Sequence, residues 1–362
     1  MAYSATMKQA IGDVRSALAA VGISRQSDRF AEHGEHAPEA GSPTILVACS
    51  GGRDSLALAA MSHTVAGMLG VHCGAVIVDH QLQAGSDKVA LAAAQRCDGL
   101  GLDPVIIRTI EVEGGGNGRS GEDAARQARY DAIVETARDT GAAAVLLAHT
   151  CDDQAETVAM DVLTRSAGID ALAGMPPTFA RDGVRFVRPF LDLSRAQTTA
   201  ICRELDVTWW DDPTNGDDVP ADQPLPQNYP LRSRVRHTLM PFLSNFFNGD
   251  VSAHLAQGTT ISQADKDFLE DATNEVYCKS VSWDMQGAAA VMRVKPLAQA
   301  HPAIRRRTIA RVLAELGIPL SKRHVLSIEA LVIDWHGQGA LSLPSGYSVN
   351  RQKHVIRVCK NG

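Results

Sequence analysis

The sequence lacks the features that identify several large classes of protein. Its seven cysteines are scattered without a Cys-x-x-Cys pair, which argues against a disulfide framework and against a zinc ribbon. No apolar run approaches the roughly 18 residues of a membrane-spanning helix, and no apolar core followed by a cleavage site marks a signal peptide at the N-terminus. We therefore expect a soluble, cytoplasmic protein with no membrane partner.

Acidic residues exceed basic ones, but not evenly along the chain. The formal net charge is -6, which taken alone disfavours binding to nucleic acid. Residues 1–229 hold 18 Lys and Arg against 31 Asp and Glu, whereas residues 230–362 hold 17 against 10. This distribution is expected if one part carries out chemistry and the other binds a polyanion. Ordinary variation between domains is the alternative.

The length of 362 residues predicts more than one domain. The segment 211–230 is rich in Pro and Asp and predicts an extended connector between the acidic and the basic part. We expect an N-terminal extension and linker over 1–43, a catalytic domain over 44–218, a connector with a basic arginine cluster over 219–241 and a C-terminal domain over 242–362.

The most informative segment, residues 45–56, joins an apolar run to a glycine-rich loop and then to a helix-like stretch. Gly51 and Gly52 allow a tight turn whose backbone amides face an anion. The hydroxyls of Ser50 and Ser55 add donors, and the start of the helix adds its positive dipole end. Because the Gly-Lys-Ser/Thr ending of the Walker motif is absent, we predict a phosphate-binding loop of another type.

Strand-like and helix-like stretches alternate from residue 44 onwards. We predict strands at 45–49, 73–79, 104–110 and 143–149 and helices at 54–69, 86–101, 121–140 and 152–165. Runs within them, such as 75–78 and 145–147, are apolar throughout, as expected for central parallel strands covered on both faces. We predict an α/β fold, a doubly wound parallel sheet with its ligand crevice at the carboxyl ends of the strands. A smaller, mainly helical C-terminal domain follows, with helices at 232–247, 251–278, 302–316 and 321–335 and short strands at 341–343 and 355–358.

Distinctive polar residues follow two of these strands. Asp79 and His80 come after the second strand, and His149, Asp152 and Asp153 come after the fourth. Asp152 has a simpler reading as a helix N-cap. With Glu156, the segment holds an imidazole and three carboxylates within eight residues, and such a group could instead bind Mg²⁺ or orient an amine nucleophile.

Arginines suited to phosphate contacts occur in three groups. Arg126 and Arg129 lie three apart, on one face of a predicted helix. The alternative for each group is a solvated helix face. The other two groups are Arg232, Arg234 and Arg236, and Arg305, Arg306 and Arg307.

In order and spacing, these motifs resemble those of the tRNA(Ile)-lysidine synthases, a family of PP-loop ATP pyrophosphatases. The motifs are Ser-Gly-Gly-x-Asp-Ser at 50–55, Val-Asp-His at 78–80, Ala-Arg-x-x-Arg-Tyr at 125–130, His-x-x-Asp-Asp-Gln-x-Glu-Thr at 149–157, Arg-Pro-Phe-Leu at 188–191, Asp-Asp-Pro-Thr-Asn at 211–215 and Arg-x-Arg-x-Arg-His at 232–237. The resemblance is strongest over residues 44–241, and the remainder is compatible in size and basic character with a tRNA-binding domain.

The resemblance implies a ligase that forms a carbon–nitrogen bond. Its substrates would be ATP with Mg²⁺, free L-lysine and the isoleucine tRNA with a CAU anticodon. The enzyme would adenylate the wobble cytidine, release pyrophosphate, and then join lysine to carbon 2 as AMP leaves. A homodimer is left open.

The resemblance also implies roles for individual residues. ATP binding falls to Ser50, Gly51, Gly52, Arg53, Asp54, Ser55, Asp79 and His80. Asp54 and Asp152 would bind Mg²⁺. The catalytic residues would be Asp54, Arg126, Arg129, His149 and Asp153, with His149 and Asp153 positioning or deprotonating the lysine. The tRNA phosphates would contact Arg232, Arg234, Arg236, Arg305, Arg306 and Arg307.

Two alternatives stay open at this point. A related tRNA thiolase would be expected to carry paired Cys-x-x-Cys ligands for an iron–sulfur cluster, which this chain lacks. A non-catalytic protein that binds ATP or tRNA is the other alternative, although the complete phosphate loop argues against it.

Overall fold

The computed structural model describes residues 3–31, 37–81, 85–111, 119–164, 168–216, 218–220, 222–285 and 287–361, except for the side chains of 119–123 and 285. The chain forms two compact units, residues 1–262 and 263–362, and the boundary falls within one long helix, Val251–Ser280. The domain limits expected from the sequence place a boundary before this helix and stay predictions. Among the described residues, no helix combines the length and the apolar composition needed to cross a membrane.

A six-stranded sheet organises the first unit. Its strands are β1 (Thr44–Ala48), β2 (His72–Asp79), β3 (Val105–Thr109), β4 (Ala144–Leu146), β5 (Thr178–Arg181) and β6 (Val184–Val187). Their order is β3-β2-β1-β4-β6-β5, and all pairs are parallel except β5 with β6. The winding reverses at β1, which lies between β2 and β4, so the ligand crevice opens at the carboxyl end of β1. The predicted doubly wound parallel sheet is confirmed.

The helices of the first unit alternate with its strands nearly as the sequence predicts. They are α1 (Ala5–Ala20), α2 (Arg53–Leu69), α3 (Ser86–Gly99), α4 (Arg119–Asp139), α5 (Cys151–Thr164), α6 (Arg195–Glu204), α7 (Leu231–Arg234) and α8 (Met240–Phe247), with α9 (Val251–Ser280) crossing into the second unit. A π-helical turn, Val235–Leu239, joins α7 to α8. The short elements β5, β6 and α6 are not among those predicted from the sequence.

Helix α1 belongs to the core of the first unit. The sequence predicts an amphipathic helix over residues 1–22 but places it in an N-terminal extension and linker over 1–43. The apolar residues Met7, Val14 and Leu18 of α1 are buried in the same cluster as α2. Gln9 of α1 also accepts a hydrogen bond from Gln197 of α6, at 3.1 Å. An amphipathic helix needs a surface to cover its apolar face, and the first unit provides that surface.

The second unit combines helices with an antiparallel sheet. Its further elements are β7 (Val281–Met285), β8 (Ala288–Arg293), α10 (Val294–Gln299), α11 (Pro302–Glu315), α12 (Lys322–Ile333), β9 (Leu341–Leu343), β10 (Tyr347–Gln352) and β11 (Val355–Lys360). The strand order is β7-β8-β11-β10-β9. The two strands predicted here correspond to β9 and β11, and the sheet is larger than expected because alanine-rich β8 carries little strand signal.

Candidate active site

The phosphate loop follows β1 and is held closed by its two serines. Ser55 donates a hydrogen bond to the carbonyl of Gly52 at 2.9 Å and accepts one from the Ser50 amide at 3.2 Å. Gly51 has a φ of +79°, and a Cβ there would lie 2.9 Å from the Cβ of Ala93 on α3. The loop leads directly into α2, a helix of 17 residues. Backbone amides in a tight turn beside a helix N-terminus form an arrangement that binds phosphate.

Asp54 lies in the first turn of α2, between the loop and α6. Its carboxylate accepts a hydrogen bond from the hydroxyl of Thr198. It lies 3.8 Å from Nε of Arg53 and 3.8 Å from Nε of Arg195. Burial raises the pKa of Asp54, against the effect of the hydrogen bond and the guanidiniums. Asp54 thus joins the predicted phosphate loop to a second group of charged residues.

Arg195 is the centre of that second group. Its side chain is 14% exposed, and its Nη2 lies 3.1 Å from Oδ1 of Asp153 and 3.2 Å from Oε1 of Glu156. Its backbone N–H donates to Oδ2 of Asp152 at 2.7 Å. With Asp54, four carboxylates therefore surround one guanidinium. This fixes the start of α6 against α5 and the phosphate loop.

The sequence analysis did not single out Arg195. An arginine at the first position of a short amphipathic helix usually lies in solvent, so its spacing gave no signal. Glu156 was considered in the sequence only as one of the carboxylates of the motif at 149–157 that could bind Mg²⁺ or orient an amine, not as a partner of an arginine. The one sequence signal for an arginine partner was the high density of carboxylates in that motif, because buried carboxylates require a nearby cation.

The carboxyl group of Asp153 is held in its ionised form. Burial disfavours the charge, but the nearby cations, Arg195 above all, hold the pKa of Asp153 well below its usual range. The backbone amide of Thr150 also donates to the carboxylate, at 2.9 Å. A carboxylate with so low a pKa is a poor proton acceptor. Its predicted roles in positioning and in deprotonating the lysine both stay predictions, and the low pKa favours positioning.

Two of the six arginines predicted to contact tRNA phosphates face this group of carboxylates. Arg236 lies 2.8 Å from Glu156 and 3.2 Å from Asp153. Arg232 donates to the hydroxyl of Thr157 at 2.9 Å, and its Nη1 is 3.9 Å from Asp153. Buried carboxylates need such partners, and the predicted tRNA contacts of Arg232 and Arg236 stay predictions. Arg234 is half-buried.

His149 follows β4 and is held by an arginine. Arg188, at the end of β6, donates from Nε to Nδ1 of His149 at 3.1 Å. The guanidinium of Arg188 also lies 4.4 Å from the centroid of the Phe179 ring. Burial lowers the pKa of His149 to about 3, and the charge of Arg188 contributes to this shift. Since Nδ1 accepts, the neutral ring carries its proton on Nε2 and acts there as a donor. His149 is thus a hydrogen-bond donor and not a base at neutral pH.

We expect His149 to stay neutral from about pH 5 to 8. In ¹⁵N-histidine-labelled protein, its two ring nitrogens should keep the shifts of the Nε2–H tautomer across this range. Because the folded pKa lies below the unfolded value, the contribution of His149 to stability is present above about pH 6.5 and falls as the pH drops towards 3.

The matched variant for this titration is Arg188→Gln, which keeps a donor and removes the charge. The His149 transition should move to higher pH in this variant. A wild-type transition near pH 6.5 would contradict the assignment of a neutral donor.

Arg126 and Arg129 lie near His149 and His80, at the carboxyl ends of the strands. Arg126 is exposed and lies 5.3 Å from the centroid of the Tyr130 ring. Burial lowers the pKa of Arg129, and the charge of Arg126 adds to the effect. Burial also lowers the pKa of His80, with Arg129 contributing. Among the side chains that the structure describes, no carboxylate lies within salt-bridge distance of Arg126 or Arg129. These two guanidiniums therefore suit an anionic ligand.

The predicted Mg²⁺ ligands, Asp54 and Asp152, both lie beside Arg195. Within the described ranges, no group of three or more His, Cys, Asp and Glu side chains is arranged to hold a metal ion. Oδ2 of Asp54 and Oδ1 of Asp152 make only contacts of 3.8 and 3.9 Å with Arg195. Each residue thus keeps one carboxylate oxygen without a hydrogen bond to the described residues. This donor set fits a cation that takes most of its ligands from a bound phosphate.

The arginines predicted to bind tRNA in the second unit differ in exposure. Arg305 is 5% exposed, and its guanidinium lies 2.9 Å from Glu329, which is 3% exposed. Glu329 thus engages the guanidinium of Arg305, and the predicted phosphate contact of Arg305 stays a prediction. Arg306 has a side chain that is 51% exposed and lies 2.6 Å from Glu329. Arg307 is half-buried.

Two family models and several individual relatives match this chain. Residues 22–243 match the sequence profile of the PP-loop domain, and residues 292–357 match that of the TilS substrate-binding domain. The tRNA(Ile)-lysidine synthase of Bifidobacterium longum subsp. infantis is 50% identical to this chain. The match covers 100% of this chain and 99% of that relative. The synthase of Leifsonia xyli subsp. xyli is 41% identical and covers 95% of this chain and 98% of the relative.

A solved structure supports the fold. The U34-tRNA thiolase NcsA from Methanococcus maripaludis, determined with its [4Fe-4S] cluster, superimposes with a TM-score of 0.51. The match covers 72% of this chain and 79% of the thiolase, at 12% sequence identity. At this identity, the likeness concerns the fold alone.

Proposed function

Because this chain belongs to the tRNA(Ile)-lysidine synthases, we propose that it joins free L-lysine to carbon 2 of the wobble cytidine in the isoleucine tRNA with a CAU anticodon. ATP would activate the base, and AMP and pyrophosphate would be released. The reaction would take place in the cytoplasm. The observation that carries the proposal is the convergence of the phosphate loop, His149 and the Arg126–Arg129 pair at the carboxyl ends of the strands.

The first half-reaction is the attack of the cytidine oxygen on the α-phosphate of ATP. We propose that the loop from Ser50 to Ser55 holds the phosphates through its amides and hydroxyls. Asp79 and His80, at the end of the neighbouring strand β2, would lie near the adenosine. Arg126 and Arg129 would neutralise the charge that develops on the adenylate. The bond to pyrophosphate breaks, and the adenylated cytidine remains.

In the second half-reaction, the ε-amine of lysine attacks carbon 2 and AMP leaves. Free lysine has a pKa of about 10.4, roughly 3 units above cytosolic pH, which corresponds to about 4 kcal/mol against the nucleophilic form. Neither His149 nor Asp153 has a pKa suited to accept this proton. We propose instead that the cations around His149 lower the pKa of the bound ammonium, so that lysine reacts after losing its proton to solvent.

We propose that His149 then positions the reacting groups through its Nε2–H. A neutral imidazole donor can bind an oxygen of the activated cytidine or of the phosphate without adding charge. Arg188 supports this role because its hydrogen bond to Nδ1 fixes the tautomer. Asp153 would act indirectly, by holding Arg195 and Arg236 in place.

Mg²⁺ would be held by Asp54 and Asp152 together with the phosphates of ATP. When bound, the ion neutralises phosphate charge and polarises the phosphoryl oxygens. The single unbonded carboxylate oxygen on each residue supports this assignment. The homodimer left open by the sequence stays a prediction.

The tRNA would contact the chain through Arg234 in the first unit and Arg306 and Arg307 in the second. Phosphate contacts depend on local basic residues, so the overall charge of -6 is no obstacle. Arg306→Ala should reduce the slope of log affinity against log salt by about one unit, because one phosphate contact is lost. The slope is measured by tRNA titrations at several salt concentrations.

Lys266→Ala is the control for Arg306→Ala. Lys266 also lies in the second unit and pairs with Glu270 at 3.7 Å, in an acidic stretch of α9. Its removal should leave the slope as it is. An unaltered slope for Arg306→Ala would exclude that residue from the tRNA contact.

The proposed function is tested by incubating the purified protein with ATP, Mg²⁺, labelled lysine and the CAU-anticodon isoleucine tRNA, followed by nucleoside mass analysis. We expect lysidine at the wobble position, one AMP and one pyrophosphate for each lysine incorporated, and no product with a methionine tRNA or without ATP. Folded protein that binds this tRNA but incorporates no lysine would refute the proposal.

A further inference from the structure

We propose that three exposed phenylalanines on α8 form a platform on which unpaired bases of the tRNA anticodon loop stack. The residues are Phe242, Phe246 and Phe247, called the aromatic platform below. The inference rests on the proposed function, because it assumes that a tRNA anticodon loop reaches the active site. It extends that function by naming a surface that holds the bases beside the wobble nucleotide.

The aromatic platform is unusually open for such large apolar side chains. Phe242 is 61% exposed, Phe246 is 71% exposed and Phe247 is 66% exposed. The rings lie close to one another, with centroids 6.0 Å apart for Phe242 and Phe246 and 5.1 Å apart for Phe246 and Phe247. Packing in the core does not explain them, because only Met240 of α8 is buried. Clustered exposed apolar side chains usually mark a binding surface.

The platform and the active site are carried by the same stretch of helix. From Leu231 to Phe247, α7, the π-helical turn and α8 follow one another without a break. Arg236 in this stretch contacts Glu156 and Asp153 in the active site. Phe246 comes ten residues later, which is about 15 Å along a helix. A few nucleotides of a loop can span this distance, so bases next to the wobble position would reach the platform.

The charge around the platform favours RNA over another protein surface. Residues 231–248 contain three arginines and one histidine but neither Asp nor Glu. Arg232 and Arg236 already face the carboxylates of Asp153 and Glu156, so Arg234 is the arginine of this stretch that remains for RNA. Arg234, which is half-buried, makes no salt bridge within the described part of the chain. Exposed aromatic rings beside basic residues are typical of proteins that bind single-stranded nucleic acid, since every base offers a ring face for stacking.

Phe268 provides the contrast that a test requires. Its side chain is 71% exposed, the same fraction as that of Phe246. It lies on α9 in the second unit, and its neighbours in sequence are acidic: Asp265, Asp267, Glu270 and Asp271. Exposure alone therefore does not distinguish the two phenylalanines, whereas the local charge does.

The test compares the double variant Phe246→Ala/Phe247→Ala with Phe268→Ala. Affinity is measured for the full isoleucine tRNA, for a stem-loop with its anticodon loop and for the same stem closed as a duplex without the loop. We expect the double variant to bind the first two at least about tenfold more weakly. Binding of the duplex, ATP binding and the salt slope should not change, because stacking involves no phosphate. Phe268→Ala should bind all three RNAs as the wild type does.

A second pair of variants separates stacking from general apolar contact. Phe246→Trp keeps a flat ring and should retain the affinity, whereas Phe246→Leu keeps an apolar side chain without a ring and should lose it. The competing occupant of the aromatic platform is a second copy of this chain. Sedimentation of each variant without RNA would detect it as a dimer. A dimer that dissociates in the double variant while each protomer keeps its tRNA affinity would overturn the proposal.

The remaining outcomes also decide between the two proposals. Wild-type protein that forms lysidine, with no loss of affinity in the double variant, would reject the platform and leave the proposed function intact. Loop binding that depends on the platform in a protein that forms no lysidine would support the platform alone. A wild type that binds none of the three RNAs would reject both.

Discussion

Arg195→Ala should reduce lysidine formation by about a thousandfold. The single guanidinium of Arg195 lies beside the carboxylates of Asp54, Asp152, Asp153 and Glu156. Removing one partner from a buried ion pair costs about 3–5 kcal/mol, since the remaining charges are uncompensated. If this free energy is added to the activation barrier because the active site loses its geometry, the rate falls by a factor of between about 10² and 10⁴. Single-turnover assays at saturating ATP, lysine and tRNA measure the effect.

The pH dependence of stability provides an independent readout of this variant. Since Arg195 is the strongest of the charges that lower the pKa of Asp153, its loss should raise that pKa. A depressed carboxyl pKa stabilises the fold above the unfolded value of about 3.9, and the contribution is lost as the pH falls towards the folded pKa. The alanine variant should therefore lose part of this stability at neutral pH and show a weaker acid dependence.

Two control variants keep this test specific. Arg203 lies on the same helix and is exposed. The variant Arg203→Ala should therefore leave both the rate and the stability unchanged. Arg195→Lys keeps the charge but not the planar fork, so it should recover only part of the rate. An alanine variant within fivefold of the wild type would exclude Arg195 from the support of the site.

Asp54→Asn should lower lysidine formation by at least about a hundredfold. The substitution keeps the size of the side chain and an oxygen that can accept the hydrogen bond of Thr198. It removes the negative charge that we assign to Mg²⁺ binding beside the phosphate loop, where Mg²⁺ is usually bound through one or two carboxylates together with substrate phosphates. Part of the lost rate should return at high Mg²⁺, because a weakened site can still be filled by mass action.

Equilibrium binding of ATP separates the metal role of Asp54 from a purely structural one. In the wild type, Mg²⁺ should tighten ATP binding, and in Asp54→Asn this dependence should shift to higher Mg²⁺ concentration. Asp152→Asn should shift it in the same direction. If ATP affinity and its Mg²⁺ dependence both match the wild type, Asp54 has no part in binding the ion.

The fold and the phosphate loop could be predicted because their signals are local. The apolar strands β1 to β4 and the helices between them follow from the alternation of runs and breaks along the chain. Gly51 and Gly52 between a strand and a helix are sufficient to indicate the phosphate loop, and the structure gives Gly51 a positive φ. Each of these features depends on residues that are adjacent in sequence.

The partners of the charged residues could not be predicted because they depend on tertiary contacts. Arg236 pairs with Glu156 across 80 residues, and Arg195 pairs with Asp153 across 42. An arginine has the same local sequence signal whether its charge meets a phosphate or a buried carboxylate. Arg305 illustrates the point, because it stands next to the exposed Arg306 and yet is buried against Glu329.

Helix α1 has a consequence for the order in which the nascent chain can fold. The ribosome makes this helix before its partners α2 and α6, and α6 ends only at Glu204. The apolar face with Met7, Val14 and Leu18 therefore stays uncovered while most of the first unit is being synthesised. Such a face is open to chaperones and to aggregation during translation. Docking of α1 should be among the last steps in the assembly of the first unit.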